Sequence, residues 1–108
     1  MTDYQAEIVD FFGYWPAFCD GHVVLYENTG NSIKLRIDYM DSDKSIRALV
    51  EISFQDVSDA YLSEYVPESV VGNLSILSGL QYWVNLEPCY GLGGSFKCKR
   101  VQAVVVNA

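Results

Sequence analysis

Cys19, Asp20 and His22 lie within one four-residue stretch, and Cys89 and Cys98 follow far downstream. Thiolate and imidazole are the usual ligands of zinc, so these cysteines and His22 could form a Cys3His site if the fold gathered them. Their spacing, Cys-x2-His and then Cys-x8-Cys, is looser than the usual zinc templates. Cys19 and His22 could also serve as nucleophile and general base, with Asp20 orienting the ring. His22 is the only histidine, so every imidazole mechanism depends on it. In an extended segment residues 19 and 22 point to opposite faces, which works against that pairing. Three cysteines with no Cys-x2-Cys pair do not make a disulfide framework, and buried free thiols acting as small hydrophobes account for them. Gly91-Leu92-Gly93-Gly94-Ser95 has the glycines of a phosphate cradle. It opens a strand rather than a helix and lacks the lysine, so a tight turn explains it better. Asp38, Glu51 and Asp56 are conceivable as paired carboxylates, but their spacing sets no such geometry, and a solvated strand face accounts for them.

The charge is uneven. The 108 residues carry a net charge of −7, from 14 acidic and 7 basic side chains. Residues 38 to 68 hold eight acids against Lys44 and Arg47, whereas residues 97 to 100 hold three bases and no acid. Such a chain is a poor binder of nucleic acid or anionic membrane, where phosphate contacts need Lys and Arg. A basic protein surface is the complementary partner, with Asp38, Asp41, Asp43, Glu51, Asp56 and Asp59 as candidate contacts. Acidity that merely keeps a small protein soluble explains the same balance.

The elements that must position these groups follow from apolar periodicity. The length predicts a single domain over residues 1–108. Residues 2 to 12 read as a helix: Thr2 with Gln5 suits a capping box, Tyr4, Ile8, Phe11 and Phe12 form one stripe, and Gly13 and Pro16 stop it. The period then changes to two. His22 to Glu27 reads as a short strand, Ile33 to Tyr39 and Ile46 to Phe54 as a hairpin, residues 57 to 63 as a short strand, and Leu80 to Leu86 as another. Leu74 to Leu77 is a further strand candidate. Pro67, Glu68, Val70 and Val71 read as one or two helical turns ended by Gly72-Asn73. Pro88 to Ser95 reads as a glycine-rich loop. Phe96 to Val106 reads as a last strand whose apolar phase slips, requiring a bulge near Lys99-Arg100. The expected fold is mainly β (α+β by strict count): an antiparallel twisted sheet or sandwich with an N-terminal helix and a short internal helix. No signal peptide is visible, and no apolar run reaches the ~20 residues of a membrane helix, so the expected location is the cytoplasm.

Between helix and sheet lies FGYWPAFCDGHVV, residues 12 to 24, the most distinctive stretch of the chain. With the LSEYVPESVVGNLSI segment at 62 to 76 and the GGSFKCKRVQAV ending at 93 to 104, it resembles the Immunity protein 50 family of bacterial polymorphic toxin systems. The matching positions are Gly13, Trp15, Pro16, Phe18, Asp20, Gly94, Phe96, Cys98 and Val101. Cys19 stands where that family typically has histidine, and Gly21-His22 where Ala-Glu often follows. The resemblance implies a non-enzymatic protein that binds and neutralises a cognate protein toxin; no cofactor or metal is expected. A small structural or oligomer-forming domain without a toxin partner and a Cys/His zinc protein are the alternatives. The oligomeric state is open. The aromatic stretch itself reads as a clasp joining helix to sheet, with Asp20 as its polar fixture.

Overall fold

Alternation in the sequence becomes alternation across a sheet. The computed structural model describes residues 4–107, and Thr2 of the expected capping box lies outside them. The described elements are α1 (Ala6–Phe12), β1 (His22–Asn28), β2 (Ser32–Asp41), β3 (Ile46–Gln55), β4 (Ser58–Leu62), β5 (Val70–Leu77), β6 (Tyr82–Tyr90), β7 (Gly94–Cys98) and β8 (Arg100–Asn107). In β2, Ile33, Leu35, Ile37 and Tyr39 point inward; in β3, Ala48, Val50, Ile52 and Phe54 do the same. The two strands pair in register from Ser32↔Gln55 to Asp41↔Ile46, so the outward residues Ser32, Lys34, Arg36 and Asp38 each face an outward residue of β3, while Asp41 falls in the inward phase opposite Ile46.

All pairings are antiparallel and make one eight-stranded sheet in the order β4-β7-β6-β5-β1-β2-β3-β8. Strand spacing of about 4.8 Å would separate β7 from β3 by about 24 Å in a flat sheet. Yet the Phe96 and Phe54 rings meet edge to face with centroids 4.9 Å apart. The sheet is therefore bent back on itself, and its two four-stranded halves share one apolar core. Two features make the bend. Lys99 breaks the last strand: β7 pairs with β6 and β4, and after Lys99 the chain resumes as β8 against β3. This is the break that the slipped apolar phase requires. On the other side, β1 and β5 share only the His22↔Val70 pair, and the clasp supplies the rest of the seam. Leu74 N–H donates to Ala17 C=O, Asp20 N–H to Val71 C=O, Val71 N–H to Gly21 C=O and Val23 N–H to Ser69 C=O.

The helix starts later than expected, at Ala6, and ends as expected on Gly13 in the left-handed region at φ 89°. A left-handed C-terminal residue is the position glycine fills most easily. Ile8 and Phe12 are buried. Glu7 accepts the Val105 N–H at 2.6 Å, so α1 blocks part of the free edge of β8.

Two expectations are corrected. The internal helix at 67–71 does not form. Val66 to Ser69 is a turn with Pro67 second and Glu68 third at φ 69°, the pattern of a type II turn. The buried Ser69 hydroxyl fixes it by donating to Val66 C=O and accepting the Leu92 N–H. Proline suits the first helical position and the second turn position equally well. The β-branched Val70 and Val71 then favour extension, and pairing with β6 decides the outcome. The loop expected over Pro88 to Ser95 shrinks to residues 91–93, because β6 runs on to Tyr90. Pro88 pairs with Val71 beside a register shift in β5, where a missing N–H is tolerated.

Candidate functional site

The clasp does more than join helix to sheet. Phe18, Cys19, Asp20 and Gly21 form a tight turn closed by Gly21 N–H to Phe18 C=O, with Phe18 at φ 60° and Asp20 at φ 66°. Two non-glycine residues in the left-handed region carry strain of about 1–3 kcal/mol each, which the surrounding packing must offset. Gly21 is pressed against β2: a Cβ there would lie 2.7 Å from Ile37 Cγ2. The turn therefore rests on the sheet and projects Cys19 and Asp20 outward beside His22, which pairs with Asp38 across β1 and β2.

Together with the β2–β3 turn these residues line a surface cleft of about 500 Å³. Its walls are Tyr14, Cys19, Asp20 and His22 on one side and Asp38, Tyr39, Asp41, Asp43 and Arg47 on the other. Four carboxylates thus face one guanidinium. Two of them are structural. Asp41, which is buried, accepts Tyr14 O–H through Oδ2 at 2.8 Å and the Asp43 and Lys44 N–H groups through Oδ1. Tyr14 has one proton and gives it to Asp41, so Tyr39 donates to Tyr14 at 3.1 Å, making a Tyr39–Tyr14–Asp41 chain. The Tyr14 bond, followed by the turn amides, holds the Asp41 carboxyl below its ordinary range. The same network, with the Tyr39 bond first, pushes the Tyr14 phenol well above its own range. Asp38 forms a two-point pair with Arg47, Nε to Oδ1 at 2.9 Å and Nη2 to Oδ2 at 2.6 Å, which lowers its pKa. The Asp20 and Asp43 carboxylates are exposed and have no hydrogen bond or ion pair.

Asp41 and Asp38 give the fold a pH dependence with a definite sign. A carboxyl whose pKa is depressed on folding stabilises the native state above the unfolded value, here about 3.8, and loses that contribution as the pH falls through the folded value. The thermal midpoint is therefore expected to fall below about pH 4. Asp41→Asn should lower the midpoint at neutral pH and make the acid limb shallower, measured by circular dichroism melts across pH. A variant with the wild-type acid limb would remove Asp41 from this account.

The structure gathers only part of the predicted acidic surface. Asp38, Asp41 and Asp43 meet in the cleft. Glu51 lies on the outer face of β3 and pairs with Arg36 at 2.9 Å. Asp56 pairs with Arg100 and Asp59 with Lys97, each at 3.1 Å. Among the six candidates only Asp43 is left uncommitted.

The motif residues divide by role. Phe18, Phe96 and Cys98 are in the core, with Pro16 also buried. Burial raises the Cys98 thiol to about 11. Trp15 is half-buried, edge-on to Tyr4 and Phe18. Cys19 and Cys89 are exposed, which corrects the expectation that all three thiols are buried. With Cys98 in the core and Cys19 and Cys89 on the surface, the Cys3His arrangement does not assemble. Among the described residues no group of three or more His, Cys, Asp or Glu is placed to hold a metal. The tight turn brings Cys19 and His22 to one cleft, but no hydrogen bond joins them.

Sequence reasoning missed Tyr14 and Tyr39 as a polar pair, and it missed an aromatic surface on the other half of the sheet. Tyr61, Leu77 and Trp83 are 75%, 65% and 55% exposed. One signal was available: Trp83 occupies the polar phase of its strand, between Gln81 and Asn85. No described helix is long and apolar enough to cross a membrane. No family model, curated protein or solved structure matches the chain.

Proposed function

We propose that this chain is an immunity-type protein that binds and neutralises a cognate bacterial toxin in the cytoplasm, covering the toxin's active surface without a catalytic step of its own. One observation carries the reading: the distinctive clasp and the acidic hairpin converge on one cleft. The resemblance of residues 12–24 and 93–104 to the immunity family supports the class of function. The charge of −7 supports a basic partner, because complementary charge speeds encounter and excludes like-charged competitors.

Within the cleft the structural carboxylates hold the shape, and Asp20 and Asp43 are the acids available to a lysine or arginine of the toxin. The test is coexpression with the toxin encoded beside this chain, followed by binding kinetics on the purified pair. Wild type is expected to restore growth. Asp20→Lys with Asp43→Lys is expected to slow association about tenfold or more at low salt, with little change in dissociation. Failure of the wild type to restore growth would remove the immunity reading. Unchanged association with the double variant would remove only the cleft.

A further inference from the structure

The outer face of the β4-β7-β6-β5 half is unlike the rest of the surface. Strand register aligns Leu77, Trp83 and Lys97 in one row across β5, β6 and β7. It aligns Ser75, Asn85, Ser95 and Tyr61 in the next row, reaching β4. The Lys97 ammonium lies 4.2 Å from the centre of the Trp83 ring and 3.1 Å from Asp59 Oδ2. Tyr61, Trp83, Ser95, Lys97 and Asp59 enclose a shallow dent of about 270 Å³. Exposed aromatic side chains on a rigid sheet, around a paired cation, have the composition of an interface core rather than of solvated surface.

We propose that this face is the contact between two copies of the chain, related by a two-fold axis. Charge selects this occupant. Two chains of net charge −7 repel one another wherever uncompensated acids meet. These two rows hold no acid, and Asp59 beside them is already paired with Lys97, so like chains approach here with less of that penalty than over the acidic cleft. A two-fold interface must also be self-complementary. A face carrying a cation and an anion side by side meets its rotated image with opposite signs opposed, Lys97 of one copy toward Asp59 of the other. Leu77, Trp83 and Tyr61 supply the apolar area that drives association. The acidic cleft lies on the other half of the sheet, so a dimer closed in this way leaves one cleft free on each copy. The proposal therefore stands independently of the toxin reading.

The test is light scattering coupled to size exclusion on the full chain. At about 100 μM, well above a micromolar dissociation constant, wild type is expected near twice the 12.1 kDa of one chain. Tyr61→Lys with Leu77→Lys changes two side chains that are mostly in solvent. It is expected to weaken the dimer about a thousandfold, so that the variant elutes as a monomer at this concentration while keeping its circular dichroism spectrum. Asp20→Lys with Asp43→Lys, on the other half, should leave the dimer intact. A wild type that stays monomeric, or a Tyr61→Lys/Leu77→Lys protein that remains dimeric, overturns the proposal. A monomeric wild type whose toxin affinity falls with that pair of substitutions overturns it too, and assigns the face to the toxin.

Discussion

Phe18→Ala is expected to remove about 3–5 kcal/mol of stability, the range for deleting a buried phenylalanine and leaving a cavity. Domains of this size have about 5–15 kcal/mol in all, so the variant should be near unfolding at 37 °C. Phe18 is fully buried and its ring stands edge-on to both Trp15 and Tyr39, with centroids 5.5 and 5.4 Å away. Its backbone is held at φ 60°, a conformation a bulky residue adopts only when something compensates. That compensation is ring burial, so truncation removes the packing and leaves the strain. The loss should spread along the seam, because the hydrogen bonds from Ala17 to Val23 join the two halves of the sheet. Urea unfolding of the purified variant measures it. A shift of the midpoint worth less than about 1 kcal/mol would mean that the clasp is a surface loop and not part of the core.

Gly94→Ala is expected to cost about 3 kcal/mol or more, by adding backbone strain to overpacking, each of which ranges over about 1–3 kcal/mol. Gly94 sits at φ 141°, which L side chains rarely adopt, where β7 meets β4. A Cβ there would run into the Tyr61 carbonyl oxygen and come within 2.8 Å of the Leu62 Cα. Both obstacles are backbone, so neither can rotate aside. The least costly response is for β4 to lift from β7, taking Tyr61 with it. Hydrogen exchange should then show loss of protection in residues 58–62 before the rest of the sheet. Wild-type protection in that segment, with unchanged global stability, would contradict the close approach.

How far these features were legible in the sequence follows from what each depends on. Ile33 to Tyr39 and Ile46 to Phe54 were readable because burial on one face writes a period of two directly into the residues. The stop at Gly13 and the break at Lys99 were readable for a similar local reason: a left-handed cap and a phase slip each leave a mark within a few residues. Pro67 was ambiguous, since one fixed φ serves a helix start and a turn alike. The acids Asp38, Glu51, Asp56 and Asp59 looked available because composition does not reveal register. Only the pairing of strands puts Arg36 beside Glu51, Arg47 within reach of Asp38, and Lys97 beside Asp59. The cleft was invisible for the same reason, as it needs the turn at Phe18–Gly21 to fall against the Asp41–Asp43 corner. Trp15 and Phe18 pointed correctly to the core, while Trp83 pointed to the surface through its position in the polar phase.

The contact of Glu7 with Val105, 98 positions apart, and the strand that serves both halves through its break at Lys99 bear on how the molecule is made. Neither half of the sheet is complete until residues 94–107 are in place, and the helix that guards the β8 edge comes from the opposite end of the chain. Native order thus rests on partners remote in sequence, a topology with high contact order. Such topologies fold in about milliseconds to seconds rather than microseconds. During synthesis, β1 to β3 emerge long before β8 can cover the outer flank of β3. A nascent chain therefore presents an unguarded strand edge until residues 100–107 have been added, and the early hairpin's alternating Lys, Arg, Asp and Glu side chains are placed to discourage it from pairing with a neighbour.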